Sequence, residues 1–431
     1  MKMLQKVQEI VLRTIRSLAV GLSVGVCITF FANTVSWAGV VNSAFPFLII
    51  LIPIGAWITL EIYKKLGAIF RRTTISAIDV IHDMEETGDE SKLRRGRISP
   101  WMAPVAYIAA AISHITGASV GKEGVGVQIG LSVGELIDRI DKRLSWHGHH
   151  GREDYYMMTA SAAAFGSLFG SPISGVLFGL MFATPDILRL DALFPCLVSS
   201  YSAVYIAELL HIHRMVIPAF TELEATLPNL AWIIAFGLLI GLLSRLFLHL
   251  LKHFRDAIAK FYSNSVMSAI VPATLVMLLS FIVYGFTKAF DYNGLSLNLL
   301  YRAIDGRGVP YYAFIIKAMM VFLSISAGFA GGEVVPLLVT GGTFGYTFAS
   351  IFSLQTAPFA VLGAIGMLTG GTNLPLVCFA LALELFGYSE PVLLFMAVAA
   401  SYIASGDGSI YHHQRIALRR RLNQGPSRST S

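Results

Sequence analysis

Apolar runs long enough to cross a bilayer recur along this chain, at 17–37, 46–62, 227–251, 265–286 and 311–330. A helix needs about 20 predominantly apolar residues to span the hydrocarbon core. The expected fold class is therefore an all-α polytopic membrane protein. Charge content agrees: 13% of the residues are Asp, Glu, Lys or Arg, against about 25% in a soluble globular chain. The first apolar stretch is too long for a signal-peptide core and no A-x-A site follows it, so it is expected to remain in the mature protein. The three cysteines, Cys27, Cys196 and Cys378, each lie inside an apolar segment. They read as buried small hydrophobes, not as a disulfide framework or metal cluster.

After position 100 the pattern changes. The apolar runs at 100–120, 124–137, 155–170, 172–184, 333–350, 355–370 and 374–387 are broken by glycine, proline or a lone acid. Runs of roughly 10 to 14 residues are more often re-entrant or buried than spanning. Irregular backbone at membrane depth survives only where protein buries it or a watery cavity faces it. The breaks also repeat. G-K-E-G-V-G at 121–126 precedes a Pro172 stretch, and G-G-E-V-V-P at 331–336 precedes a Pro375 stretch. Two such halves suggest a repeat-built transporter or channel. The expected organisation is a segment 1–16, a first membrane repeat over 17–210, a connection at 211–226, a second repeat over 227–411 and a basic tail at 412–431.

Lys/Arg bias in short loops sets orientation. Lys2, Lys6, Arg13 and Arg16 precede the first span, the loop 37–45 carries none, and 64–97 carries Lys64, Lys65, Arg71, Arg72, Lys92, Arg94, Arg95 and Arg97. Both termini, including Arg419–Arg421, are expected in the cytoplasm. The net charge of +6 then reports topology and attraction to anionic lipid, not nucleic acid.

The stretch 117–130, GASVGKEGVGVQIG, nearly fits three well-known patterns. As a phosphate loop it has too few residues between its glycines, and Glu123 stands where a Ser or Thr hydroxyl is needed. As a dinucleotide turn it has one residue too many and lies among membrane helices. Gly117, Ser119 and Gly121 do spell G-x-S-x-G, so an intramembrane serine hydrolase stays open, although only His114 lies nearby as a base. Glu123 itself fits another reading. A carboxylate at membrane depth is costly and usually faces a cavity that carries ions or protons. The glycines around it free backbone N–H groups at the start of a helix expected to run to about Ile137, and such helix ends attract anions. Burial of the carboxylate favours its protonated form. A structural ion pair to another helix is the alternative.

These residues resemble the CLC family of chloride channels and proton-coupled anion antiporters. Gly121-Lys122-Glu123-Gly124 matches the family's G-K/R-E-G-P, with Val125 in place of proline. Gly331-Gly332-Glu333-Val334-Val335-Pro336 stands where the family has G-G-x-F-x-P, and Gly408-Ser409-Ile410-Tyr411 is similar to its C-terminal anion-contacting site. The resemblance runs from about 15 to 415. It implies an inverted-repeat helical fold with broken and re-entrant helices, a homodimer with one pathway per subunit, and a place in a bacterial inner membrane. It implies Glu123 as gate and proton acceptor, and Gly121, Gly124, Val125, Val334, Val335 and Tyr411 around the anion. Lys122, Glu333 and Ile78 are further pathway candidates.

Departures from the family pattern narrow the branch. The G-S-G-I-P motif is absent, its nearest counterpart being Ser76-Ala77-Ile78-Asp79. Met181 and Phe182 stand where many antiporters carry an inner proton-relay glutamate. A proton path there is either absent or built differently. The lost serine motif, Val125 and G-G-E-V together resemble the bacterial branch that exports fluoride against protons. The function implied is a halide transporter, expected to be a fluoride/proton antiporter; a chloride/proton antiporter or passive chloride channel is the alternative. It is not an enzyme and needs no cofactor, metal or nucleic acid. Its partners are a halide, protons, membrane lipid and a second copy of itself. The residues after Tyr411 are too few for a regulatory nucleotide-binding domain.

Other polar residues carry competing readings. Glu333 is either a second pathway group or the cap of its own helix. Glu384 is expected to be structural. Lys122 either adds positive potential or pairs with an internal acid. His147, His149 and His150 with Glu153 and Asp154 read as a solvated loop, and Asp83, Glu85, Glu86, Asp89 and Glu90 as a solvated face that can border an inner vestibule.

Overall fold

The computed structural model describes residues 2–67, 73–87, 98–144, 153–221, 223–262, 264–387 and 390–415. Arg71, Arg72, Lys92, Arg94, Arg95, Arg97, Asp89, Glu90, the histidines at 147, 149 and 150, and Arg419–Arg421 lie outside the described residues.

Among the described residues there are sixteen α-helices and no strand. The first repeat holds α1 (Lys2–Ala44), α2 (Ile52–Leu66), α3 (Thr73–Thr87), α4 (Met102–Thr116), α5 (Glu123–Leu144), α6 (Glu153–Phe169), α7 (Pro172–Met181) and α8 (Leu193–Leu209). The second holds α9 (Leu227–Phe261), α10 (Ser265–Thr287), α11 (Leu297–Ile304), α12 (Ala313–Ser326), α13 (Val334–Ile351), α14 (Thr356–Thr372), α15 (Pro375–Leu385) and α16 (Pro391–Ser405).

The two halves correspond element by element. Helices α4 to α8 contain 15, 22, 17, 10 and 17 residues, and α12 to α16 contain 14, 18, 17, 11 and 15. Each half opens on a long helix: α1 has 43 residues and α9 has 35. At 1.5 Å per residue both exceed the ~30 Å hydrocarbon core, so they tilt or project beyond it. Where the halves meet, Gly121 and Gly332 form an antiparallel bridge. An antiparallel pairing is what two inverted copies produce where they meet.

Proline and glycine place the breaks. Proline stands in the first turn of α7, α15 and α16, where its missing N–H costs nothing and its fixed φ favours the helix. Gly117 closes α4 in the left-handed region at φ +85°. Two expected extents change. The run 311–330 is not a full span: α12 stops at Ser326, and 327–333 turns to meet the first repeat. Helix α5 continues past Ile137 to Leu144, because Glu135–Arg139 (2.7 Å) and Asp138–Lys142 (2.7 Å) pair at i,i+4 and carry it beyond its apolar part.

Polar ties also correct the acidic surface. Asp154 is not in a solvated loop. It is fully buried on α6 and held by Arg189 at 3.1 Å, and the same guanidinium reaches Glu85 at 3.0 Å. Glu86 pairs with Arg415.

Candidate functional site

The chain approaches the site from the end of α4. Past the turn at Gly117, residues 118–121 run without helix, and Gly121 exchanges two backbone hydrogen bonds with Gly332: its N–H donates to Gly332 O at 2.7 Å and its carbonyl accepts from Gly332 N–H at 2.9 Å. Neither glycine has room for a side chain. A Cβ on Gly121 would lie 2.8 Å from Gly332 O, and one on Gly332 would lie 2.6 Å from the Gly124 nitrogen. Immediately beyond the bridge, α5 begins at Glu123 and α13 at Val334. Two helix N-termini, each with unsatisfied N–H groups and a positive dipole end, therefore converge on one point.

Glu123 occupies that point. It is buried, and its carboxylate accepts the Lys122 N–H at 3.0 Å, with the Val335 amide also turned toward it. Val125, Val334 and Val335 are buried around it. Two helix starts facing one carboxylate favour its negative charge.

Tyr411 is brought to the same region. Its buried ring lies edge-on to Phe178, centroids 5.6 Å apart, and Phe178 stacks on Phe165 and Phe182. The backbone before it is stitched to the end of α14: Ile410 N–H donates to Gly371 O at 2.8 Å, and Ser409 Oγ donates to Thr372 O at 3.2 Å while accepting the Tyr411 N–H at 3.1 Å. Glu123, Glu333 and Tyr411 are close enough to interact electrostatically.

Glu333 faces differently from Glu123. It makes no side-chain cap bond to α13, so the capping role is not realised. Its carboxylate lies 4.0 Å from Arg255, on the wall of a cavity of about 860 Å³ lined also by Arg245, His249, Lys252 and His412. Burial, and then the nearby Arg255 guanidinium, hold the His412 imidazole below its usual pKa. Arg245, Lys252 and Arg255 share the cavity wall with the acids Asp256, Glu333 and Asp407.

The remaining candidates fall into place individually. Lys122 is buried and donates to His213 O in the inter-repeat connection at 3.2 Å. Ile78 is fully buried on α3, and Asp79 beside it contacts His413 at 2.9 Å, two residues beyond Tyr411. Met181 and Phe182 are buried apolar side chains and carry no proton. Glu384 caps another helix: it accepts the Ile173 and Ser174 N–H groups at 2.8 Å each and the Ser174 hydroxyl at 2.6 Å.

Ser119 and His114, the pair open to a hydrolase reading, are both buried. The Ser119 hydroxyl donates to Tyr292 O at 2.9 Å. The group beside it is Lys317, whose Nζ lies 2.8 Å away and donates to it. Sequence reasoning missed this lysine. The available signal was a single cation in the middle of the apolar run AFIIKAMMVF.

A family model described as Voltage gated chloride channel matches residues 66–406. A "Chloride/fluoride channel protein" of Pseudomonas syringae pv. tomato is 29% identical over 384 residues, covering 86% of this chain and 79% of the relative. An "H(+)/Cl(-) exchange transporter ClcA" of Citrobacter koseri is 25% identical over 296 residues, covering 65% of this chain and 61% of the relative. Among solved structures, a CLC-type fluoride/proton antiporter superposes with a TM-score of 0.83 at 24% identity, covering 95% of this chain and 98% of the other. A slow cyanobacterial Cl−/H+ antiporter gives a TM-score of 0.74 at 17% identity, over 96% and 99% of the two chains.

Proposed function

This chain belongs to the voltage-gated chloride channel family, and from that premise we propose that it carries a halide across the membrane in exchange for protons, with fluoride the preferred anion. The observation that carries the reading is the buried Glu123 carboxylate held where the N-termini of α5 and α13 converge. Ionised, it competes with an external anion for the same N–H groups. Protonated, it loses the charge that holds it there, leaves, and an anion takes its place. The anion then lies among Gly121, Gly124, Val125, Val334 and Val335, with the Tyr411 hydroxyl toward the inner end and Ile78 in the adjoining wall. Lys122 adds positive potential, and Glu333 beside Arg255 is the next group on the way to the inner cavity.

Selectivity for fluoride is supported by the relative named a chloride/fluoride channel protein and by Ile78 and Val125 standing where the wider family uses a serine motif and a proline. An apolar wall in place of a hydroxyl ligand changes how the site replaces hydration water. The working unit is a homodimer with one pathway per subunit, in a bacterial inner membrane with both termini cytoplasmic. A passive channel is the second reading, favoured by the absence of an acid at Met181 and Phe182.

Liposomes holding the purified protein decide between them. Fluoride and chloride efflux are followed with ion electrodes while an anion gradient is tested for uphill proton movement. The antiport reading expects fluoride-selective efflux with proton pumping, and loss of pumping in Glu123→Gln. Efflux without pumping in the unmodified protein makes it a channel. Chloride flux equal to or above that of fluoride refutes the selectivity.

A further inference from the structure

Lys317 lies in the middle of α12, fully buried. Its Nζ lies 2.7 Å from Ser296 Oγ, 2.8 Å from Ser119 Oγ and 3.0 Å from Gly294 O, with Tyr292 O at 3.5 Å. The hydrogen positions follow from the partners. Ser119 spends its own proton on Tyr292 O at 2.9 Å, and Ser296 spends its proton on Asn293 O at 3.2 Å. Both hydroxyls therefore accept from the lysine, and the Gly294 carbonyl can only accept. Three close acceptors match the three N–H donors of the ammonium form. Among the described residues no carboxylate forms an ion pair with it. A charged group buried without an ion-pair partner is expensive anywhere and more so at membrane depth.

The cage is also anchored to the anion site. Ser119 precedes Glu123 by four residues, and its N–H donates to Ser324 Oγ at 3.1 Å. Lys317 and Ser324 are seven residues apart, two turns along one face of α12. That face grips the 118–121 approach through a hydroxyl and an amide, one step before the Gly121–Gly332 bridge.

We propose that Lys317 is the fixed counter-cation of the anion pathway: an ammonium, held in an oxygen cage, that fixes the approach to Glu123 and lowers the energy of an anion in its place. The proposal rests on the reading of the α5 and α13 N-termini as the anion site. Its N–H groups are all directed at the cage, so Lys317 is a positioning residue that acts through Ser119 and through its field. At an effective dielectric of about 20, a unit charge about 10 Å from an anion is worth roughly a tenfold change in its affinity.

The test is the anion dependence of efflux from liposomes, paired with calorimetric titration of fluoride and chloride into the detergent-solubilised protein. Lys317→Gln removes the charge while keeping two N–H donors on a shorter stem; Lys317→Met removes the charge and every donor. Lys288→Met deletes an exposed lysine at the end of α10 as the control. The expected result is a KM and Kd about tenfold higher for the glutamine variant, with its maximal rate kept within a few fold and the control unchanged. A folded Lys317→Gln protein with unaltered KM and Kd, even if less heat-stable, reduces the lysine to a structural support and overturns the proposal. Should the methionine variant fail to fold, the glutamine variant decides alone. Absence of anion flux and binding in the unmodified protein removes the anion-site reading and this role with it, whereas normal flux with an indifferent Lys317→Gln removes only the role.

Discussion

Gly121 and Gly332 give the residue scale its sharpest constraint. Their backbones touch through two hydrogen bonds, and each has a neighbour where a methyl group would go. At Gly332 the obstacle is the Gly124 nitrogen at 2.6 Å, which is backbone and cannot rotate away. Forcing a methyl group into such a contact costs about 1–3 kcal/mol when the backbone can shift. Here the shift would separate the N-termini that face Glu123. Gly332→Ala is therefore expected to lose most anion flux while losing only about 1–3 kcal/mol of stability. Flux normalised to protein that elutes as a single species, measured beside its thermal midpoint, checks this. A variant with wild-type flux would mean that the two helix starts need not meet for transport.

At the scale of elements, the same logic explains short helices that cannot hold their own ends. Helix α7 starts at Pro172 with no cap of its own from Ser171. Its free Ile173 and Ser174 N–H groups are satisfied by Glu384 from the matching helix of the other repeat. Charged acceptors of this kind are worth about 1.5–3 kcal/mol each, less where water reaches them. Glu384→Ala is expected to lower stability by about 2 kcal/mol and to leave the anion-to-proton ratio as it was. A changed ratio at unchanged stability would make Glu384 a proton carrier instead. Much of this level was legible in the sequence. The Gly-x-Glu breaks and the prolines that open α7 and α15 were legible because local chemistry demands those residues, whereas Tyr411 stood out only through the family resemblance. What was not legible depends on distance along the chain. Lys317 and Ser119 are 198 residues apart, and nothing local to either says they touch. Likewise, the end of α12 at Ser326 and the extension of α5 to Leu144 follow from tertiary and i,i+4 ties, not from apolar length.

For the whole molecule, the ties between repeats outnumber what a covalent connection must supply. Gly121 pairs with Gly332, Ser119 with Lys317 and Ser324, Gly117 O with Asn293 at 2.9 Å, and α7 with Glu384. The C-terminal segment adds Gln414 to Phe182 O at 2.9 Å and Arg415 N–H to Ala183 O at 3.2 Å. The connection itself is tied to both repeats and packs on the core through Met215, Ile217, Phe220 and Leu223. His213 N–H donates to Asn33 at 2.7 Å in the first repeat, and Asn229 Nδ2 donates to Glu224 O at 2.9 Å in the second, while Ala219 is exposed and outside any helix. Joining two segments that already associate mainly raises their effective concentration, and exposed loop tips tolerate interruption. Co-expressed halves divided between Ala219 and Phe220 should therefore find each other in the membrane. A tag on the first half is expected to co-purify the second in equal amount, and the pair should carry anions at a rate within a few fold of the intact chain. Each half alone would expose the Glu123 carboxylate and the Lys317 ammonium without their partners, so neither should accumulate as a folded species. Recovery of the tagged half by itself, stable and monodisperse, would mean that the repeats fold independently and that the bridge at Gly121 and Gly332 forms only as a late docking contact.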